Sequence, residues 1–431
     1  MAAEEISKPP SRLAVQLLSA FLAMESTDYL ISLARDCGGG SITEEVQNFI
    51  MNHFFKNHVN ECTLLCKSYI EKFLKKLIIT IESSGQEVLE GLYEQHACCL
   101  APLKDDNVSS EIRRICKSIS FLFPDHSQKT ILSPAIFFEI QDHLLVIPLR
   151  CSLNMLEGDT GCSIWPSSLF LSEFILSYPE MFQEKSCFEV GSGVGLVGIA
   201  LAHVNASKVI LSDGDQSSLE NLKFNLELNH QKAENNPQNS SSRENLVECV
   251  YLPWESASEI EFQNYSPDIV LGADVVYDPA CLPHLVQVLS TLLKTRKSNL
   301  YQGQNSSSNG SVRMNDMILK MDHPKTCKTD AYCHLLEETK VAASDKIEQR
   351  NASFSTSSST NSVDGLSPVA YIATVIRNID TFNCFLSLAD EANLSVVDIT
   401  ETNKPLNLLP YMRSYDRSSI RLYKLQNCPT K

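Results

Sequence analysis

The chain has no surplus of positive charge: 36 Lys and Arg stand against 52 Asp and Glu, a formal net charge of −16. Gripping nucleic acid through its phosphates depends on clustered Lys and Arg, so that class of function is disfavoured and a basic or neutral partner suits the chain better. CxxC pairs are missing as well. The 15 cysteines are scattered, with Cys62 and Cys66 four apart and Cys98 beside Cys99, so zinc and thiol-redox spacings are absent and no metal is expected. They read as reduced thiols of cytosol or nucleus, and a cytoplasmic protein is expected. Long apolar runs are lacking too. Only twelve uncharged residues lie between Arg12 and Glu25, against the roughly 20 that a spanning helix needs. Glu4 and Glu5 spoil the same stretch as a signal peptide, no small-residue cleavage site follows it, and an amphipathic helix is the better reading.

What is present begins with helical periodicity from about Ser11 to Ser120. Leu17, Phe21 and Met24, then Phe73, Leu74, Leu77 and Ile78, recur at three- and four-residue steps, and glycine is scarce there outside Gly38 to Gly40. An all-helical N-terminal domain over residues 1–125 is expected, as a scaffold or a substrate-docking module. Between Ile131 and Leu149 the runs IFFEI and HLLVIPL read as a hairpin. Trp165 then leads through Pro166 into a helix, proline suiting the first helical turn.

Ser186 to Ala202, SCFEVGSGVGLVGIALA, reads as strand, glycine turn and helix. The apolar runs ending at Asp213, Tyr251 and Ala273 and the run Val369 to Arg377 alternate with helical segments, and Ser395 to Thr400 and Ser419 to Lys424 close the chain. This βαβα rhythm predicts a parallel sheet finished by an antiparallel pair, carried by residues 126–297 and 368–427. Residues 298–367, bounded by NSSSNGS and NASFSTSSSTNS, read as a disordered low-complexity insertion.

The turn fits two fingerprints. Gly193, Gly195 and Gly198 spell the GxGxxG of dinucleotide binding, whereas Gly191, Gly193 and Gly195 spell the GxGxG found where S-adenosylmethionine binds. Glu189, two residues before the first glycine, would repel a pyrophosphate but suits a cationic amino group. Asp213, 22 residues after Gly191, can accept from ribose hydroxyls and serves either cofactor.

FEVGSGVGLVGIALA, SIWPSSLFLSEFI, ILSDGDQSSLENLKFNLELN and IVLGADVVYDP together resemble the seven-β-strand protein-lysine methyltransferases of the methyltransferase-like group. The helical N-terminal region, ATVIRN and the ending resemble the branch that methylates eukaryotic elongation factor 2. The resemblance implies a Rossmann-like α/β class I methyltransferase sheet, S-adenosylmethionine as cofactor and a lysine of elongation factor 2 as substrate. It also implies that Glu189, Gly191, Gly193 and Gly195 line the cofactor, Asp213 holds its ribose, Trp254 lies beside the adenine, and Trp165 and Ala273 complete the pocket. Its Asp-x-x-Tyr signature falls on Asp274 and Tyr277, placing them as catalytic residues; a helix cap and a core aromatic are the alternative readings of that pair. Gly214 with Asp215 after Asp213 departs from the family pattern. The Asn- or Asp-Pro-Pro-aromatic run of amide and DNA-amine enzymes is replaced by ADVVY, and the paired glutamates of arginine methyltransferases are not found. The rival functions are methylation of a small molecule or RNA, and a non-catalytic cofactor-binding adaptor.

Overall fold

Short apolar runs that end in an acid or a glycine form the strands here, and longer runs with three- and four-residue periodicity form the helices. The computed structural model describes residues 11–56, 67–100, 114–124, 143–152, 160–234, 246–258, 262, 265–294 and 367–428. All of these belong to one compact unit. The expected insertion, Ser367 apart, lies outside them, as do Cys62 and Cys66 and the run IFFEI.

The N-terminal region is helical as read: α1 (Arg12–Leu22), α2 (Thr27–Cys37), α3 (Glu44–Ile50) with a π-helical turn Met51–Lys56, α4 (Lys67–Ser83) and α5 (Glu90–Leu100). Ser11 and Ser26 begin the first two helices by accepting from the N–H groups of Ala14 and Tyr29, which satisfies donors the first turn leaves free. The apolar stripes meet around Phe21, whose ring stacks on Phe54 at 4.1 Å and packs on Phe73 at 5.6 Å.

Arg114–Leu122 is a strand, β1, although it lies in the stretch with helical periodicity, and it pairs antiparallel with β2 (Leu144–Ser152) in register Arg114↔Ser152. HLLVIPL therefore does form a ladder, with a partner earlier in the chain than IFFEI. The pair docks on α9 (Gln216–Glu234) through a ladder of asparagines. Asn225 Oδ1 accepts the Arg150 N–H at 2.7 Å, Asn221 and Asn225 both donate to the Arg150 carbonyl, and Asn229 donates to that of Pro148. Spaced i, i+4, these residues share one helix face, so a single stripe serves the backbone of β2.

The remaining strands are β3 (Ser186–Val190), β4 (Lys208–Asp213), β5 (Leu246–Tyr251), β6 (Ile269–Ala273), β7 (Val369–Val375), β8 (Leu394–Asp398) and β9 (Ile420–Asn427). They form one seven-stranded sheet in the order β5-β4-β3-β6-β7-β9-β8. Neighbours from β5 to β7 run parallel, and β9 inserts antiparallel between β7 and β8. Alternation sends Cys187, Leu211, Leu271 and Ala373 into one core, shared with the N-terminal helices, α6 (Pro166–Ser177), α7 (Pro179–Phe182), α8 (Leu196–His203) and α9. It sends Phe188, Ile210, Val270 and Ile372 into another, under α10 (Leu282–Leu292) and α11 (Ile379–Glu391). This is a Rossmann-like α/β fold. Strand order reverses between β3 and β6, so a crevice opens at their carboxyl ends. Among the described residues no helix is long and apolar enough to cross a membrane.

Candidate active site

The residues singled out in the sequence converge on that crevice. At the end of β3, Glu189 is 1 % exposed, and its Oε2 is a buried oxygen with no hydrogen-bond partner. Burial first, and then the negative charge of Asp213, push its carboxyl well above the usual range, while the Ser192 side chain opposes them. A cationic ligand group would satisfy both the orphaned oxygen and the charge.

The turn that follows is held by its own backbone. The Gly195 N–H donates to the Ser192 carbonyl and the Ser192 N–H to that of Ser212, each over 2.9 Å. Gly193 has φ +52°, and a Cβ there would sit 2.9 Å from the Gly161 carbonyl oxygen, so both conformation and crowding demand glycine. A Cβ on Gly191 would be 3.5 Å from the Trp254 ring, which places that half-buried indole against the turn. Gly198 serves packing instead. A Cβ would strike the Leu211 side chain at 2.5 Å, so this glycine lets α8 lie close on β4.

Asp213 ends β4 and Asp215 lies just past it, and the structure separates them. Asp213 accepts the Gly193 N–H on Oδ2 at 2.9 Å and the Asp215 N–H on Oδ1 at 3.0 Å. Asp215 accepts the Ser218 N–H at 2.7 Å and so serves the start of α9. Asp213 faces the glycine turn; Asp215 faces the helix. Burial raises the Asp213 carboxyl, and the two N–H donors oppose it.

The other wall is built from β6, β7 and the start of α6. Ala273 ends β6 opposite Ala373, and the Asp274 N–H donates to the Ala373 carbonyl at 2.8 Å. Asp274 adopts φ +60° and is buried. That backbone region is uncommon for a residue with a side chain, and strain of this kind collects at functional positions. Its oxygens are taken by Arg377, with Nη1 to Oδ1 at 2.9 Å and Nη2 to Oδ2 at 2.6 Å. The guanidinium lies 5.4 Å from the ring centre of Trp165, whose Nε1 donates to the Thr160 carbonyl at 3.0 Å. Tyr277 is 62 % exposed, so it is no core aromatic, and the Asp274 carboxylate is bound to Arg377 instead of capping a helix. Partial burial and then the negative groups Cys281, Asp278, Asp213 and Glu255 push the Tyr277 phenol up.

The structure thus brings Glu189, Gly191, Gly193, Asp213 and Trp254 around the turn and Trp165 and Asp274 together through Arg377. Arg377 and the asparagine stripe were not singled out in the sequence. A cation directly after an apolar strand, and asparagines at four-residue spacing, are the signals that carried them. Among the described residues no group of three His, Cys, Asp or Glu side chains is placed to hold a metal ion, and no disulfide joins the cysteines.

Residues 147–319 match the family model described as lysine methyltransferase. A protein of Dictyostelium discoideum is 28% identical over 386 residues, covering 83% of this chain and 81% of its own. The protein-lysine N-methyltransferase EFM3 of Saccharomyces cerevisiae is 30% identical over 300 residues, covering 62% of this chain and 78% of its own. The protein-lysine N-methyltransferase EEF2KMT of Homo sapiens is 28% identical over 232 residues, and the match spans 62% of the human protein's length and 53% of this chain. The chain therefore belongs to the lysine methyltransferase family.

Proposed function

We propose that the chain transfers a methyl group from S-adenosylmethionine to a lysine side chain of elongation factor 2, in the cytoplasm. The observation that carries the cofactor is the buried Glu189 with its orphaned Oε2 beside a turn whose glycines take positive φ and where Gly193 has no room for a Cβ. The substrate rests on the names of the human and yeast relatives. When bound, S-adenosylmethionine supplies an electrophilic methyl group on a sulfonium centre. Glu189 would take its cationic amino group, Gly191 and Gly193 admit its backbone-hugging portion, and Gly195 starts the helix beneath. Asp213 would accept from the ribose hydroxyls, with Trp254 beside the adenine and Trp165 and Ala273 on the far wall.

A lysine attacks only as the neutral amine, so the site must align the nitrogen and let its proton leave to solvent. Asp274 retains acceptor capacity beyond its two bonds to Arg377, because a carboxylate offers about four lone-pair sites. It can therefore orient the amine, and the exposed Tyr277 ring offers a face to a methylated ammonium. The experiment is to incubate the purified protein and methyl-labelled cofactor with cell extract, beside an Asp274→Ala control. Label on a lysine of elongation factor 2 that disappears in the control is expected. Label confined to small molecules or RNA would overturn the reading, and no label anywhere would point to an adaptor.

A further inference from the structure

The fork between Arg377 and Asp274 joins residues 103 positions apart in the chain. The Asp274 side chain is 4% exposed and the Arg377 side chain 45%, so a buried acid is held by a cation that reaches solvent. Asn378 accepts from the N–H groups of Asp380 and Thr381 at the start of α11, which fixes the strand-to-helix turn carrying Arg377. The titratable groups at this end of the sheet include Glu189 from β3, Asp213 from β4 with Asp215 past it, Glu255 past β5, Tyr277, Asp278 and Cys281 past β6, Asp380 at the start of α11, and Arg421 on β9 opposite Thr374. All but Arg421 become negative when they ionise, and Asp274 accepts its two bonds from Arg377. Arg377, from β7, brings positive charge to Asp274, and the fork holds the guanidinium pKa above its ordinary value, so that charge persists across working pH.

That charge matters to an incoming lysine. At pH near 7.4 about one lysine in a thousand is neutral. An uncancelled carboxylate within about 4–6 Å raises a cation's pKa by about 1–3 units, and so removes another tenfold or more of the reactive form. We propose that Arg377 is a positioning residue that cancels the charge of Asp274, so that the acid orients the substrate lysine as a neutral amine instead of trapping it as an ammonium. The inference rests on the lysine-methylation reading above. The fork also sets the plane of the carboxylate, leaving its remaining lone pairs at fixed directions.

The test is kcat against pH, with purified elongation factor 2 and saturating cofactor, for the wild type, Arg377→Gln and Arg377→Lys, and with cofactor binding measured by calorimetry on each. In Arg377→Gln the acid limb of kcat is expected to move up by about 1 unit or more, with a loss of about tenfold at pH 7.5 that recovers at high pH. Arg377→Lys keeps the charge and loses the fork, so its limb stays with the wild type while kcat falls. An Arg377→Gln enzyme that loses the same factor at every pH overturns the inference. If Arg377→Gln fails to bind cofactor, Arg377→Lys decides: an unmoved limb upholds the inference, and a limb displaced by a unit overturns it. A wild type that labels no lysine overturns the functional reading and this inference together, whereas labelling with an unmoved limb in Arg377→Gln overturns only this one.

Discussion

The Gly193 N–H donates to Asp213 Oδ2 over 2.9 Å, which ties the turn after β3 to the end of β4. Asp213 therefore shapes the glycine turn, in addition to the ribose contact proposed for it. Asp213→Ala removes both contributions and is expected to weaken S-adenosylmethionine and S-adenosylhomocysteine alike by about 10–100-fold, at about 1.5–3 kcal/mol for a hydrogen bond to a charged group. Asp215→Ala keeps the N–H given to Asp213 and loses the contact to Ser218, a helix-cap cost of about 1 kcal/mol with affinity nearly unchanged. Calorimetry on both variants decides which acid serves the ribose. Weaker binding by Asp215→Ala than by Asp213→Ala reverses the assignment.

With Glu189 as the proposed partner of the cofactor's amino group, cofactor binding is expected to depend on pH, and the sign follows from the raised Glu189 carboxyl. The folded protein keeps this proton at pH values where an unfolded chain has lost it. The group's contribution to stability is thus full below the ordinary carboxylate range and is lost as pH rises through the raised value. A cationic amino group acts the other way: it favours the ionised acid, so binding releases a proton in that window. Affinity for S-adenosylmethionine should rise with pH through the raised value and fall again above about 8, where an α-amino group loses its charge. Glu189→Gln should remove the rise and cost roughly tenfold or more in affinity. Titrations in buffers of different ionisation enthalpy read the proton release, and equal profiles for the two proteins would refute it.

Asn225 holds the β1–β2 ladder and the glycine turn at once. Its Oδ1 accepts the Arg150 N–H, and its Nδ2 donates to the carbonyls of Arg150 and Val194 at 3.0 and 2.9 Å. Asn225→Ala leaves the Arg150 N–H and the Val194 carbonyl without this partner, at about 1–3 kcal/mol. Urea unfolding should show that loss, and cofactor affinity should drop with it because Val194 belongs to the turn. Lost stability with unchanged affinity would confine Asn225 to the scaffold.

Much of this was legible because the chemistry is local. Glu189, Gly191, Gly193 and Asp213 sit at strand ends, so their spacing states their neighbourhood. The sheet was legible for a related reason: strands buried on both faces are continuous apolar runs, and KVIL and DIVLGA have no competing pattern. What escaped depends on distant pairing. RICKSISFL mixes Lys117, Ser118 and Ser120 into its apolar residues, and only the ladder with Leu144–Ser152 makes it a strand. Arg377 shows locally only as a cation after an apolar strand, and its meaning comes from Asp274 past the neighbouring strand β6. Glu173 is similar. In the sequence it is one acid in the apolar helix SSLFLSEFIL, and nothing nearby says what it meets.

It meets the connection between β8 and β9. Glu173 is 0 % exposed and accepts the Leu408 N–H at 2.7 Å, the Leu409 N–H at 3.3 Å and the Tyr415 hydroxyl at 2.8 Å, with Arg417 Nε at 3.1 Å. Glu25, between α1 and α2, does the same for the N–H groups of Arg413 and Ser414, each at 3.1 Å. Two buried carboxylates thus fasten one long irregular segment to α6 and to the N-terminal helices. Glu173→Ala removes the acceptor of the Leu409 N–H and the Tyr415 hydroxyl and the carboxylate facing Arg417, and removing one partner of a buried pair costs about 3–5 kcal/mol. Glu173→Gln should cost less, and its penalty should shrink as pH rises. Burial raises the Glu173 carboxyl in spite of Arg417 and the hydroxyl and N–H donors, so the wild type loses this group's contribution as pH climbs through the raised value, and glutamine does not titrate. Denaturation midpoints of both variants at several pH values measure this. A Glu173→Gln penalty that grows with pH would mean that the ionised pair with Arg417 stabilises the fold outright.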